Sequence, residues 1–162
     1  MSPNIHGIRK QIVDSLRQIK VPVVRWPGGC FADIYDWRDG IGPRKERPVR
    51  TNFWADDPDA QRLKGNAVQL YENNAFGTDE FIRFCHLTGA QPYMASNLRS
   101  LPAMEFSRWV EYCNSPAGST TLAKQRAANG SAAPYDVKYW GVGNESWGCG
   151  GNFDPEDYAV EY

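Results

Sequence analysis

The sequence predicts an α/β fold built on a parallel sheet. Two observations lead to this prediction. Short apolar runs typical of buried strands alternate with amphipathic segments at helical spacing, and glycines or polar residues follow each apolar run. Such alternation is typical of a parallel sheet with right-handed crossovers. It leaves two closures open, a doubly wound open sheet and a (β/α)₈ barrel.

The first half of the chain contains one helix, one strand and a long polar stretch. Apolar residues at helical spacing predict a helix over residues 7–19, and the apolar run 21–26 predicts a buried strand that ends at Pro27-Gly28-Gly29. Residues 30–74 are polar but rich in aromatic side chains. A loop this long within a compact domain is typically functional or disordered, and its aromatic content favours a functional loop.

The second half continues the alternation. Thr78 begins a predicted helix that Gly89 ends, and residues 91–97 form the next predicted strand. Further helices are predicted after Pro102 and near residues 122–128, and a third strand over residues 137–143. Pro155, followed by two acidic residues, begins a last helix that the end of the chain cuts short.

Composition excludes several classes of protein. The 162 residues carry a net charge of −1, which argues against a nucleic-acid surface, and no apolar run approaches the roughly 18 residues of a membrane span. The run Gly141-Val142-Gly143 lacks the third glycine of a dinucleotide-binding loop. The four cysteines form no CxxC pair, so a structural zinc site is not predicted, and nothing in their spacing requires a disulfide. Cys85 and Cys113 are expected to be buried on helix faces.

Polar side chains follow the predicted strands where ligands meet an α/β sheet. Arg25 lies at the end of the first strand, Asn97 at the end of the second, and Asn144 with Glu145 at the end of the third, shortly before Trp147. Fixed donors and acceptors beside a flat aromatic ring suit a sugar, although they would also suit other polar ligands.

Glu145 is the sharpest candidate for catalysis. It follows a strand end that is almost free of charge, and partial desolvation there would favour the protonated carboxyl that a general acid requires. The alternative is a carboxylate that caps the following loop. Asn144 could bind a substrate hydroxyl or satisfy loop backbone groups. For Arg25 the residue pattern favours a structural role, in which it pairs with a carboxylate and holds loops together.

Several blocks of the sequence resemble glycoside hydrolase family 51, whose members are mainly α-L-arabinofuranosidases. The resemblance runs in order over nearly the whole chain. Its blocks are Arg25-Trp26-Pro27-Gly28-Gly29-Cys30-Phe31, Tyr35-Asp36-Trp37-Arg38-Asp39-Gly40-Ile41-Gly42-Pro43, Asn74 to Phe81, Trp109 to Asn114, Val137 to Glu145, and residues 147–152.

The resemblance implies a (β/α)₈ barrel with an attached β-sandwich and a retaining hydrolysis of α-L-arabinofuranosides. It implies that Glu145 is the general acid/base and that Asn144 binds the 2-hydroxyl group of the sugar. Cys30 stands where many members have an asparagine that contacts the sugar, and Trp147, in the continuation of the acid/base block, is expected to bind substrate. Arg25 and, at the second strand end, Asn97 would support the site. The implied partner is an arabinofuranosyl saccharide; no metal or other cofactor is implied.

Two positions depart from the family pattern. Arg99 stands in a loop where glycine is usual, so that a cation would alter the rim of the site, and Ile34 stands where an acid is common. Glu72 and Asn73 lie in a block near the site without an assigned role.

The chain is expected to be a fragment. A retaining glycosidase needs a second carboxyl group about 5–5.5 Å from the first, and the acids after Glu145 (Asp154, Glu156, Asp157 and Glu161) fall in a loop and a helix start. A barrel needs about 250 residues. Residues 1–162 are therefore expected to hold about strands two to four, incomplete at both ends and without the sandwich or the nucleophile, and to be inactive alone.

Other interpretations stay open at this point. The chain could be a non-catalytic sugar-binding module, a non-functional relic, or part of another retaining barrel glycosidase of the same clan. The sequence leaves open the natural polysaccharide, a homo-oligomeric parent, and a cytoplasmic or an exported bacterial location.

Overall fold

The computed structural model describes residues 3–53 and 71–162. The part of the predicted long loop between 54 and 70 lies outside the described residues. The regular elements, in chain order, are β1 (Asn4–Ile5), β2 (Ile8–Arg9), α1 (Lys10–Ile19), β3 (Val23–Trp26), β4 (Arg50–Thr51), β5 (Tyr71–Glu72), α2 (Thr78–Thr88), β6 (Gln91–Ala95), α3 (Ala103–Asn114), α4 (Thr121–Ala128), β7 (Tyr139–Gly141) and α5 (Pro155–Glu161). Short 3₁₀ helices occupy Cys30–Ile34, Trp37–Gly40 and Arg44–Glu46.

The predicted parallel sheet is confirmed. It contains three strands in the order β3-β6-β7, and both pairings are parallel. Trp26 lies opposite Met94, which in turn lies opposite Trp140. The described residues form no closed barrel. Because all three strands run in the same direction, the segments that follow them meet at one edge of the sheet.

Most predicted elements occur within a few residues of their predicted positions, but the first helix begins later than expected. It starts at Lys10 because residues 4–9 form a two-stranded antiparallel hairpin, whose turn places His6 and Gly7 at φ values of 52° and 91°. Helix α2 ends at Gly89, which adopts the left-handed conformation at φ 80°. Among the described residues, no helix is long and apolar enough to cross a membrane.

The core is unusually aromatic. Trp37 stacks on Trp109 with their rings 6.3 Å apart and nearly parallel, and Trp26 stacks on Phe81 at 5.4 Å. Trp140 packs against this core from β7. Such ring pairs stabilise the fold beyond the area that they bury. Cys85 and Cys113 are buried free thiols on α2 and α3, which confirms that prediction.

A buried ion pair ties the long loop to helix α2. The Arg47 guanidinium donates two hydrogen bonds to the Glu80 carboxylate, of 2.9 and 3.1 Å, and also donates to the carbonyl oxygens of Gly42 and Asn74. The Glu80 carboxylate in turn accepts a hydrogen bond from the backbone N–H of Gly77, at the start of α2. Burial alone would raise the pKa of Glu80, but the hydrogen bonds from Arg47 and Gly77 outweigh it and hold that pKa below its ordinary value.

Replacing Glu80 by glutamine is expected to lower the free energy of unfolding by about 3 kcal/mol at pH 7, since it leaves the Arg47 charge buried without a counter-charge. A carboxyl with a lowered pKa in the folded state stabilises the fold above its unfolded pKa, and this contribution is lost as the pH falls through the folded value. The difference between the two chains should therefore shrink in acid. Urea denaturation at neutral and acid pH measures it.

Glu46→Gln is the matched control, because Glu46 is exposed on a neighbouring 3₁₀ helix. It should change stability by less than about 0.5 kcal/mol. Equal effects of the two substitutions would show that the buried pair does not anchor the loop.

Candidate active site

A cavity of about 460 Å³ opens beside the ends of β3 and β7. Arg25 of β3, Tyr93 of β6 and the segment from Asn144 to Trp147 line it, and helix α5 closes one side with Tyr158. The Tyr158 hydroxyl donates a 2.7 Å hydrogen bond to the carbonyl oxygen of Val142, which fixes α5 against the end of β7. The structure thus brings Arg25, Asn144, Glu145 and Trp147 together, as the sequence predicted.

The buried side chain of Asn144 joins three segments of the chain. Its Oδ1 accepts a 2.6 Å hydrogen bond from Nη2 of Arg25, and its Nδ2 donates to Oδ2 of Asp33 at 3.2 Å. Arg25 also donates to the carbonyl oxygen of Gly28 in the loop after β3. Arg25 therefore connects the loop after β3 to the Asn144 side chain, and its partners are amide and carbonyl oxygens, not the carboxylate that the sequence predicted.

Asp33 is a site residue that the sequence analysis missed. Its carboxyl group is fully buried in the 3₁₀ helix after Gly29, and Oδ1 has no hydrogen-bond partner in the described part of the chain. Burial raises the pKa of this carboxyl, and the hydrogen bonds from Asn144 and the charges of Arg99 and Arg25 offset that effect only in part. No periodic pattern or motif argument pointed to Asp33, because its importance comes from a contact 111 residues away in sequence.

Glu145 is held by its backbone and not by burial of its side chain. It adopts a positive φ of 41°, uncommon for a residue other than glycine, and its carbonyl oxygen accepts hydrogen bonds from the N–H groups of Gly148 and Gly150. A Cβ atom at Gly150 would lie 1.7 Å from the carbonyl oxygen of Asn144, so the turn requires glycine there. The side chain is exposed, and the desolvation expected from the sequence is absent in this chain.

A disulfide that the sequence did not predict crosses the site. Cys30 and Cys149 are bonded, with their Cα atoms 5.6 Å apart. Oε2 of Glu145 lies 3.5 Å from Sγ of Cys149, and Nδ2 of Asn144 lies 3.7 Å from the same sulfur. Both cysteines have glycine neighbours in the sequence, but 119 residues separate them, and spacing alone could not pair them.

The second strand end has a structural role. The Asn97 side chain donates to the carbonyl oxygen of Tyr35 and accepts from the N–H groups of Arg99 and Ser100, so it caps its own loop. Arg99, one of the departures from the family pattern, donates from Nη1 to the carbonyl oxygen of Cys149 at 3.0 Å. The cation therefore braces the disulfide-bearing loop at the rim.

Two of the remaining sequence candidates, Ile34 and Glu72, lie away from Asn144. Ile34 lines a separate cavity of about 350 Å³ with Asp36 and Arg50. Glu72 accepts a hydrogen bond from the Asn74 backbone and lines another cavity of similar volume beside Trp26. Trp147 is 74% exposed and presents its ring at the mouth of the first cavity.

Comparison with known proteins decides the family. The model of the family described as "Alpha-L-arabinofuranosidase 1 domain" matches residues 15–161. The chain belongs to this family. The resemblance found in the sequence is thereby confirmed, and relatives that match the chain are named α-L-arabinofuranosidases.

Relatives and solved structures agree with this assignment. The chain is 44% identical over 160 residues to the intracellular exo-alpha-L-arabinofuranosidase of Bacteroides ovatus, covering 99% of this chain and 29% of that relative. The crystal structure of the GH51 arabinofuranosidase from Xanthomonas axonopodis pv. citri matches with a TM-score of 0.83 and 46% identity, over 95% of this chain and 29% of that one. The Thermotoga maritima alpha-L-arabinofuranosidase, solved as an arabinose complex, matches with a TM-score of 0.80 and 41% identity, over 93% of this chain and 29% of that one. The chain thus spans less than a third of the length of these relatives.

Reducing the Cys30–Cys149 bond is expected to lower the free energy of unfolding by about 2–4 kcal/mol, because the bond closes a loop of 119 residues in the unfolded chain. Urea denaturation with and without a dithiol measures the difference. Cys149→Ser should make stability insensitive to the dithiol, whereas Cys85→Ala, which removes a buried free thiol, should leave the sensitivity intact. A wild-type chain that ignores the reductant would contradict the bond.

Proposed function

We propose that this chain is part of the catalytic (β/α)₈ barrel of a retaining α-L-arabinofuranosidase, and that Glu145 is its general acid/base. The observation that carries the proposal is the position of Glu145. Its exposed carboxylate lies at the carboxyl edge of the parallel sheet, directly after an asparagine whose side chain is fixed by Arg25 and Asp33. Ligands meet α/β barrels at this edge.

The surroundings of Glu145 suit proton transfer to a leaving oxygen. A general acid must reach within about 3 Å of the atom that it protonates, and the exposed side chain borders the open cavity. The turn that fixes the Glu145 backbone restricts the positions that its carboxyl group can reach. The full enzyme would supply the desolvation that this chain lacks, when further barrel strands and a bound sugar cover the carboxyl.

Asn144 would contact the sugar through the hydrogen-bonding capacity that its bonds to the protein leave unused. One lone pair of Oδ1 remains after the bond from Arg25, whereas the two N–H groups of Nδ2 face Asp33 and the Cys149 sulfur. The disulfide changes the role that the family resemblance implied for Cys30: its sulfur has no proton to donate, so it would offer the sugar an apolar contact. Trp147 would offer a flat ring to the saccharide at the cavity mouth.

The second carboxyl group would come from another part of the full protein. Asp33 is close to Asn144 but fully buried, so it cannot reach an anomeric carbon. Asp154, Glu156 and Asp157 lie at the start of α5, where they are exposed to solvent and interact favourably with the helix dipole. Without a nucleophile about 5–5.5 Å from Glu145, the covalent intermediate cannot form.

Grafting tests the proposal directly. The chain is to replace the matching segment of the Xanthomonas arabinofuranosidase, and hydrolysis of a chromogenic α-L-arabinofuranoside is to be measured. The graft should be active, and Glu145→Gln should lower kcat/KM by about 10²–10⁴-fold on substrates with poor leaving groups, which need the acid most. The loss should be smaller on a 4-nitrophenyl substrate.

Glu156→Gln in the same graft is the control, because it removes an exposed carboxylate next to the site without touching the cavity. It should leave kcat/KM unchanged. The isolated chain should show no Glu145-dependent hydrolysis. A folded graft whose activity survives Glu145→Gln would contradict the acid/base assignment, and turnover by the isolated chain would contradict the missing nucleophile.

A further inference from the structure

Three side chains with metal-binding atoms meet at the disulfide. Sγ of Cys30, Sγ of Cys149 and a carboxylate oxygen of Glu145 all lie within 4.8 Å of one another. In the oxidised chain the two sulfurs share a bond, so they cannot act as thiolate ligands. Reduction breaks that bond and leaves two thiols beside a carboxylate, all of them at least partly accessible to solvent.

The spacing of these atoms suits a tetrahedral zinc ion. Zinc–sulfur bonds are about 2.3 Å long and zinc–carboxylate bonds about 2.0 Å, so a tetrahedral site places a sulfur and an oxygen ligand about 3.5 Å apart. The distance from Sγ of Cys149 to Oε2 of Glu145 is 3.5 Å. The Cys30 sulfur would have to move from bonding distance to about 3.8 Å from its partner, a shift within reach of side-chain rotation.

We propose that reduction of the Cys30–Cys149 bond creates a binding site for one thiophilic divalent cation such as Zn²⁺, with the two thiolates and the Glu145 carboxylate as ligands. The fourth position would hold water. Unlike a structural zinc site with CxxC pairs, this site draws its two cysteines from distant parts of the chain.

A dithiol serves as the reductant of the Cys30–Cys149 bond. The dithiol gives two electrons and two protons to the Cys30–Cys149 bond and becomes a cyclic disulfide, which leaves two protein thiols. Binding of Zn²⁺ then releases those two protons and forms two zinc–sulfur bonds and one zinc–oxygen bond. The bound metal holds the thiols as thiolates and thereby opposes reformation of the disulfide.

Neighbouring groups would hold the ligands in place. Arg99 fixes the Cys149 carbonyl oxygen, and the turn from Glu145 to Gly150 fixes the backbone between two of the ligands. Nδ2 of Asn144, 3.7 Å from the Cys149 sulfur, would donate to the thiolate, as outer-shell donors do at zinc sites. The Arg99 guanidinium, which donates to the Cys149 carbonyl oxygen, favours the thiolates by its positive charge and opposes the approach of the cation by the same charge.

The consequence for catalysis rests on the proposed function. A metal bound to the Glu145 carboxylate would prevent it from giving a proton to the leaving oxygen, so the reduced enzyme would be inhibited by zinc and the oxidised enzyme would not. The binding itself does not depend on glycosidase activity. A failure of one claim therefore leaves the other testable.

Cobalt titration provides the test, because Co²⁺ reports thiolate ligands by a charge-transfer band in the near ultraviolet. The reduced 162-residue chain should bind one equivalent with this band and should gain stability in urea, since the site exists only in the folded state. The oxidised chain should show no band. Glu145→Gln should weaken the affinity of the reduced chain at least about tenfold while keeping the band.

Cys149→Ser and Cys30→Ser should each abolish the band. Cys85→Ala is the control and should retain the band, because Cys85 is buried in the core. A band that survives loss of Cys30 or Cys149 would overturn the proposal. A reduced chain that stays folded but shows no band would also overturn it. So would a reduced chain that unfolds and that one equivalent of Co²⁺ does not refold.

Discussion

The hydrogen bonds of the Asn144 side chain are the constraint on which the site depends. The amide accepts from Arg25 at the end of one strand, donates to a buried aspartate in the loop that follows that strand, and itself follows another strand of the sheet. The Arg25 guanidinium carries a charge, so its bond to the amide is of the stronger kind. Without the amide, the Asp33 carboxyl would lose its hydrogen-bonded side-chain partner in a buried place, and the two strand ends would lose their direct connection.

The disulfide repeats this connection in covalent form. Cys30 and Asp33 lie on the same 3₁₀ helix, and Asn144 and Cys149 lie in the segment that contains Glu145. The disulfide and the Asp33–Asn144 hydrogen bond therefore join the same two segments of the chain. Arg99 adds a third tie from the middle strand's loop to the Cys149 carbonyl oxygen. An exposed glutamate in a left-handed backbone conformation would otherwise be mobile. Here three ties fix its neighbours to the loops that follow the other two strands, which is the pre-organisation that a catalytic group requires.

The sequence predicted the order of helices and strands because that order is written in local signals. Apolar spacing, Thr78 and Gly89 at the ends of a helix, and glycine after a strand all act over a few residues. The alternation then implied that Arg25 and Asn144 share an edge, and the structure confirms it. The hairpin before α1 was missed because two-residue strands leave no periodic pattern.

Two contacts of the site could not be predicted by the same means. The Cys30–Cys149 bond and the Asp33–Asn144 hydrogen bond each join residues more than a hundred positions apart, and both depend on the path of a loop that has no periodicity. The exposure of Glu145 was also beyond the strand pattern. That pattern describes the residues before the glutamate, whereas the turn after it decides where its side chain points.

A double-mutant cycle between Arg25 and Asn144 tests the central claim most directly. The free energy of unfolding is to be measured for Arg25→Met, Asn144→Ala and the double variant, with Arg38→Met and Asn144→Ala as a control cycle, since Arg38 pairs with Glu105 elsewhere. We predict a coupling of about 1.5 kcal/mol between Arg25 and Asn144, as expected for a hydrogen bond to a charged group, and additive effects in the control. Additivity within about 0.5 kcal/mol for Arg25 and Asn144 would contradict the account.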